Sequence, residues 1–288
     1  MAGKTDFDKY LAKQLEEDRG VLVPVKASLY ELMFVKKADC RKLHPNPEDE
    51  FCDPNIGPNY EIIGKYAEMI TRNGNFGKEP LIVQKVNPDG YILLNGHHRW
   101  AAALRTGYNP VPISIVNVTQ EKDIERMIRN STHDKRVTLD LDEVAFCEGD
   151  EIPAERPLHF PYNKMYKERI RQGIPALLVY LGRQGYDIWV YTAQYYSIEY
   201  IRAYFRHYSV KVDGIVTGTA VKRGESGKTA RLIADQYAET LHIDNDLVLR
   251  TRQDSKEFEE YPIEAEPSAW SRTVMEIVKR INQGEEKR

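Results

Sequence analysis

Cysteine is scarce in this sequence. The 288 residues include only three, Cys40, Cys52 and Cys147. So small and odd a number excludes a disulfide framework, and the spacing of the three matches no zinc-binding pattern. We therefore expect reduced thiols and a cytoplasmic protein.

Long apolar runs and an excess of charge of one sign are also missing. No stretch approaches the roughly 18 apolar residues of a membrane span, and the first twenty residues lack the apolar core of a signal peptide. The formal net charge of −3 gives no overall electrostatic case for binding DNA or an anionic membrane. Binding to DNA would therefore require a local basic patch on the surface, and we expect no membrane partner.

What is present is a globular composition, 41% hydrophobic and 30% charged, in a length that suits two domains. The pattern changes near residue 134. Up to that point it predicts an α+β domain with the β-hairpin "PLIVQKV-NPDG-YILL", the helix "HHRWAAALRT" and the strand "VPISIVNV". From 135 to 288 strands and helices alternate, which predicts a Rossmann-like parallel sheet with flanking helices. The predicted fold class is α/β in two domains, 1–134 and 135–288.

Polar residues follow several predicted strands of the second domain. Asp140 and Asp142 end "VTLDLD", Thr192 ends "WVYT", and Asp244 and Asp246 follow "LHI". Open parallel sheets bind ligands just beyond these strand ends. Carboxylates there suit Mg²⁺ and phosphate, and an aspartate can carry a phosphoryl group. Aspartates that only cap helices are the structural alternative.

The run Asp140-Leu141-Asp142-Glu143-Val144 resembles the first motif of the haloacid dehalogenase-like (HAD) phosphatases, and the later strand ends follow in that family's order. The resemblance implies that Asp140 is the nucleophile and that Asp142 is the general acid/base, whose backbone carbonyl also binds Mg²⁺. It implies that Thr192 binds the phosphoryl group. Asp244 would be an Mg²⁺ ligand, with Asp246 as a second acid at the metal.

The same resemblance requires a phosphate-binding lysine, which falls best on Lys228, with Lys222 as the rival. The spacing leaves no room for a large cap domain, although residues 147–163 could form a small lid. The segment "GESGKT" imitates a phosphate-binding P-loop but lacks its first glycine, because Lys222 stands at that position. We therefore set a Walker-type site aside.

Gly96, His97, His98 and Arg99 lie between a predicted strand and a predicted helix. A glycine there allows a tight turn, the helix amides can hold an anion, and arginine can clamp phosphate oxygens. A joint metal site of the neighbouring histidines is disfavoured because their side chains diverge. The structural alternative pairs Arg99 with an acid and leaves the histidines to shape the turn.

The pattern Gly96-x-x-Arg99-x-x-Ala102 after an apolar strand, with Gly107 before the next, resembles the ParB/sulfiredoxin-like fold. This resemblance implies that Gly96 to Arg99 contact the phosphates of a nucleotide, ATP, ADP or CTP. His97 stands where the reductases of this fold need cysteine, which excludes their chemistry. The histidine after the glycine makes this motif more similar to that of the serine kinases of this fold, for which Glu61 and Glu31 are the candidate catalytic glutamates.

The leading hypothesis is an Mg²⁺-dependent phosphohydrolase acting on a small-molecule or nucleic-acid phosphomonoester. The domain before it would bind a nucleotide and is a candidate kinase. The alternative is a nucleotide-gated regulator that binds DNA or a protein and has a non-catalytic HAD-like unit. A third hypothesis pairs a kinase with a phosphatase on one substrate.

Overall fold

The computed structural model describes residues 6–17, 22–147, 149–218, 227–253, 255 and 257–284. The chain divides into two compact units, Met1–Asn117 and Val118–Arg288. No helix in the described ranges is both long and apolar enough to span a membrane.

The helices of the described residues are α1 Asp6–Glu17, α2 Leu29–Phe34, α3 Tyr60–Asn73, α4 His97–Thr106, α5 Glu121–Arg129, α6 Tyr162–Met165, α7 Ile174–Arg183, α8 Ile198–His207, α9 Gly227–Gln236 and α10 Trp270–Gln283. The strands are β1 Val23–Pro24, β2 Lys37–Ala38, β3 Leu43–His44, β4 Leu81–Asn87, β5 Tyr91–Asn95, β6 Val111–Ile115, β7 Lys135–Asp140, β8 Tyr186–Thr192, β9 Gly214–Thr217, β10 Glu239–Ile243, β11 Leu247–Arg252 and β12 Glu259–Pro262.

The first unit is built on a mixed sheet in the order β2-β6-β4-β5-β3, with β1 paired to β4. The predicted hairpin is confirmed, because β4 and β5 pair antiparallel. Helix α4 follows β5 and buries Trp100 and three alanines against the sheet, and Gly107 ends the helix with φ +71°. The apolar alternation of β4 and β6 thus forms one side of a core that α3 and α4 complete.

The second unit is built on a sheet in the order β12-β11-β10-β7-β8-β9. The predicted parallel arrangement is confirmed for four strands, since β7 pairs parallel with β10 and β8, and β8 with β9. The strands β11 and β12 extend this sheet antiparallel, and the sequence pattern did not predict them. Because the central strands are buried on both faces, they read as near-continuous apolar runs.

One predicted helix is wrong in its extent. The sequence from 166 to 185 predicts a single helix, but α7 begins only at Ile174. Gly173 has φ +83° and Pro175 stands in the first turn, so the backbone cannot continue a helix through this point. Residues before it form isolated bridges instead, Phe146 with Ile170 and Ala154 with Arg171.

The unit boundary lies closer to the N-terminus than residue 134. Helix α5 packs Ile124, Met127 and Ile128 into the core of the second unit. Thr119 and Thr217 exchange hydrogen bonds, each hydroxyl accepting from the other residue's N–H at 3.1 and 3.0 Å. These contacts place residues 118–134 with the second sheet.

Candidate functional sites

Gly96 forms the turn between β5 and α4. Its φ is +99°, and a Cβ at this position would lie 2.5 Å from Cδ2 of Leu81 and 3.2 Å from Nη2 of Arg99. Only glycine fits such a position without strain. No side chain caps the N-terminus of α4, so the amides of its first turn are available to an anion.

His97 lies buried behind this turn. Its Nε2 accepts a hydrogen bond from the N–H of Asn46 at 3.1 Å, which places the ring proton on Nδ1, 3.5 Å from a carboxylate oxygen of Asp49. Burial lowers the pKa of His97 to about 4. A neutral, buried ring that orders a backbone amide has a structural role.

His98 has a similar contact on the other side of the turn. Its Nε2 accepts from the N–H of Asn59, the residue that caps α3. The ring of Phe51 packs against both histidines, at 5.5 Å from His97 and 5.0 Å from His98. The two rings therefore join α4 to the segments before it. This agrees with the structural alternative, in which the histidines shape the turn.

Arg99 lies mostly buried beside Gly96. Its Nη1 donates to the backbone oxygen of Glu79 at 2.7 Å and lies 3.8 Å from the carboxylate of the same residue. The candidate kinase glutamates have other partners: Glu61 pairs with Lys65 on α3, and Glu31 pairs with Lys85 and completes the capping box of α2. Gly96 and Arg99 thus lie together at one turn, while both glutamates take part in structural contacts.

Asp140 ends β7 and caps the turn Leu141–Ala145. One oxygen of its carboxylate accepts from the N–H groups of Asp142 and Glu143 at 2.7 and 2.9 Å. Burial raises the pKa of Asp140, and the charges of Asp142 and Asp244 raise it further, against the lowering effect of the two amides. The carboxylates of Asp142 and Asp244 therefore lie near enough to Asp140 to affect its pKa.

Asp142 is fixed by β8. Its carboxylate accepts from the hydroxyl of Thr192, at 2.9 Å to each oxygen, and from the N–H of Ala193 at 2.9 Å. Thr192 is fully buried. The structure therefore brings Asp142 and Thr192 together, with the threonine hydroxyl directed at the carboxylate. The amide of Ala193 gave no signal in the sequence because any residue supplies one.

The remaining predicted residues are less closely joined. Asp244 and Asp246 follow β10 and are exposed; Asp244 accepts from the N–H of Asn245. Lys228 in α9 donates to Glu125 at 2.6 Å and is largely exposed. Its rival Lys222 lies outside the described residues, as does most of "GESGKT".

Within the described ranges, no group of three or more His, Cys, Asp or Glu side chains is arranged to hold a metal ion. The predicted set of Asp140, Asp142, Asp244 and Asp246 is therefore not seen as one cluster of carboxylates. The carboxylate of Asp142 is occupied by Thr192 and Ala193.

Asn245 is a member of this site that the sequence reasoning missed. Its side-chain nitrogen donates to the backbone oxygen of Glu143 at 3.0 Å, which joins the loop after β10 to the turn after β7. In the sequence "DNDLV" only the acids have a recognisable pattern, because the partner of the Asn245 amide is a backbone atom that no sequence pattern marks.

Comparison with known proteins bears on the first unit. Residues 39–132 match the ParB N-terminal domain family. Among solved structures, the chain is similar to the C-terminally truncated chromosome-partitioning protein ParB from Caulobacter crescentus complexed with CTP-gamma-S, at 26% identity and a TM-score of 0.25. The match covers 30% of this chain and 45% of that one, so the chain spans less than half of that relative. No curated protein matches the chain. In sequence, residues 39–132 are therefore similar to the N-terminal domain of ParB proteins.

Proposed function

We propose that the first unit binds a nucleotide at the turn from Gly96 to Arg99 and that the protein is a nucleotide-gated regulator of a DNA or protein partner. The observation that carries this proposal is the match of residues 39–132 to the ParB N-terminal domain, which includes this turn. The glycine backbone and the uncapped first turn of α4 supply amides, and Arg99 supplies a guanidinium. Arg99 would exchange its bond to the backbone oxygen of Glu79 for phosphate oxygens.

Calorimetric titration with CTP, ATP and ADP tests this function. Arg99→Gln should weaken nucleotide binding at least tenfold, because a charge-assisted bond to phosphate is lost. Arg105→Gln, at the other end of α4, is the matched control and should bind like the wild type. Salt-dependent DNA binding that requires the nucleotide would support gating on DNA. If none of the three nucleotides binds, the proposal is refuted.

A second function is favoured by a separate observation in the second unit. Asp142 is held by Thr192 and the amide of Ala193 beside Asp140, at the carboxyl ends of the adjacent parallel strands β7 and β8. This arrangement, with the order β10-β7-β8-β9, supports a HAD-like phosphohydrolase. A carboxylate oxygen of Asp140 would bond to phosphorus as the ester oxygen leaves with a proton from Asp142. Water would then attack phosphorus and give a proton to Asp142 while the bond between phosphorus and Asp140 breaks, which releases phosphate and restores both aspartates.

The side chains of Asp140 and Asp244 and the backbone oxygen of Asp142 would hold the Mg²⁺ that the resemblance implies. Such an ion neutralises charge on phosphate oxygens. The chain's own contribution is to orient the attacking carboxylate by the amides of Asp142 and Glu143, and the proton donor by Thr192.

Release of phosphate from p-nitrophenyl phosphate and from a panel of phosphomonoesters, with and without Mg²⁺, tests the second function. Asp140→Asn should abolish turnover, because an amide cannot form the aspartyl-phosphate. Asp235→Asn, an exposed change on α9, is the matched control. Unchanged activity in Asp140→Asn would overturn the mechanism, and a wild type without Mg²⁺-dependent turnover would overturn the function.

A further inference from the structure

Arg171 is a buried cation of the second unit that contacts the loop after β10. Arg171 is only 5% exposed, and its guanidinium lies 4.1 Å from the ring centroid of Trp270. Nη1 donates to the side-chain oxygen of Asn245 at 2.9 Å, while the buried Nε has no partner among the described residues. Among the described residues no carboxylate pairs with this guanidinium. Burying a guanidinium in this way is costly, so its position calls for an explanation beyond packing.

Asn245 is held from several sides. Its side-chain oxygen accepts from Arg171, and its side-chain nitrogen donates to the backbone oxygen of Glu143. Its backbone oxygen accepts from the indole of Trp270 at 2.6 Å, and its N–H donates to the carboxylate of Asp244 at 2.7 Å. One residue therefore connects the loop that carries Asp244 to the turn that follows Asp140.

The backbone of Arg171 is also hydrogen-bonded to this turn. Its N–H donates to the backbone oxygen of Ala145 at 2.8 Å, in the turn that Asp140 caps. The backbone contact and the ring of Trp270 restrict the guanidinium to a narrow range of positions. A guanidinium held in this way orients the amide of Asn245, since Nη1 can only donate and so selects its oxygen.

We propose that Arg171 is a positioning residue for the phosphoryl-transfer site: together with Trp270 it orients Asn245, which fastens the Asp244 loop to the turn after Asp140. This inference rests on the phosphohydrolase function proposed above. Arg171 acts through Asn245, so the two residues form one link, and losing either should have the same effect as losing both.

The test is a double-mutant cycle on the full chain with p-nitrophenyl phosphate and Mg²⁺. Arg171→Met and Asn245→Ala should each lower kcat about tenfold with little change in KM. The double variant should be within twofold of the single ones, whereas independent residues would give about a hundredfold loss. Arg169→Met, an exposed arginine paired with Asp150, is the matched control and should retain wild-type turnover. A hundredfold loss in the double variant would overturn the proposal.

Amide hydrogen exchange separates this inference from the proposed function. In Arg171→Met and in Asn245→Ala, exchange should accelerate both at 141–146 and at 244–247, and Arg169→Met should leave both segments unchanged. If Arg171→Met does not fold, Arg171→Lys replaces it, since lysine keeps the charge but lacks the planar fork. A wild type without turnover refutes the phosphohydrolase. Unchanged exchange in folded variants at Arg171 and Asn245 refutes the link.

Discussion

At the scale of single residues, neighbouring letters in "NGHHR" have different roles. Gly96 is required by its positive φ and by the close approach of Leu81. His97 and His98 accept hydrogen bonds from backbone amides and order the chain around the turn. Only Gly96 and Arg99 remain as candidates for contact with phosphate. In the second unit, the hydroxyl predicted to bind phosphate, Thr192, instead donates to Asp142.

Replacing Gly96 by alanine should destabilise the protein more than the same change at Gly107. Both have a positive φ, which costs a Cβ-bearing residue roughly 1–3 kcal/mol. Gly96→Ala also forces a Cβ to 2.5 Å from Leu81, whereas nothing lies within 4 Å of a Cβ at Gly107. We expect an additional loss of about 1–3 kcal/mol for Gly96→Ala, measured by urea denaturation. Equal losses would show that the contact with Leu81 relaxes at no cost.

His97 should make the stability of the protein depend on pH. Burial lowers its pKa in the folded state to about 4, below its ordinary 6.5. Between these two pH values the unfolded chain binds the proton more readily than the folded one. The contribution of His97 to the free energy of unfolding is therefore fully present above about pH 6.5 and is lost as the pH falls toward 4. The loss should be on the order of 3 kcal/mol.

Denaturant unfolding across this pH range, with His97→Gln beside the wild type, measures the effect. The variant has no titrating group at this position, so its stability should fall less steeply below pH 6.5. Parallel curves for the two proteins would show that other groups account for the pH dependence.

At the scale of elements, periodicity and turn residues predicted helices and strands well where local signals agreed. The hairpin β4–β5 and the helix α4 were confirmed because apolar alternation, a turn sequence and a terminal glycine coincide there. The helix predicted from 166 failed in its first half, where Gly173 interrupts a stretch of helix-favouring letters. Strands β11 and β12 were missed because their charged residues interrupt the alternation of apolar and polar residues that predicts a strand.

At the scale of the whole molecule, the end of the family match and the division between the compact units fall at different residues. The ParB N-terminal match runs to residue 132, close to the predicted domain end at 134. The compact units instead divide after Asn117, because α5 buries its apolar face in the second unit. A sequence family boundary and a unit of packing therefore need not coincide.

Two truncated chains distinguish these boundaries. A fragment of residues 118–288 keeps α5, whereas 135–288 loses Ile124, Met127 and Ile128 from the core. Full burial of such side chains contributes roughly 1.5–3 kcal/mol each, so the shorter fragment should be less stable by several kcal/mol. Thermal unfolding followed by circular dichroism measures the difference. Equal midpoints would place the structural boundary near residue 134.

The sequence by itself determined the two-part organisation, the parallel strands and the positions of the polar residues at strand ends, because these follow from local periodicity and chain direction. The sequence also predicted the turn at Gly96, which lies within the residues that match the ParB N-terminal domain family. Only the tertiary structure decided which groups meet: that Thr192 and Ala193 hold Asp142, and that Arg171 reaches Asn245 across 74 residues of sequence. Such contacts depend on how distant segments pack, and no local pattern records that.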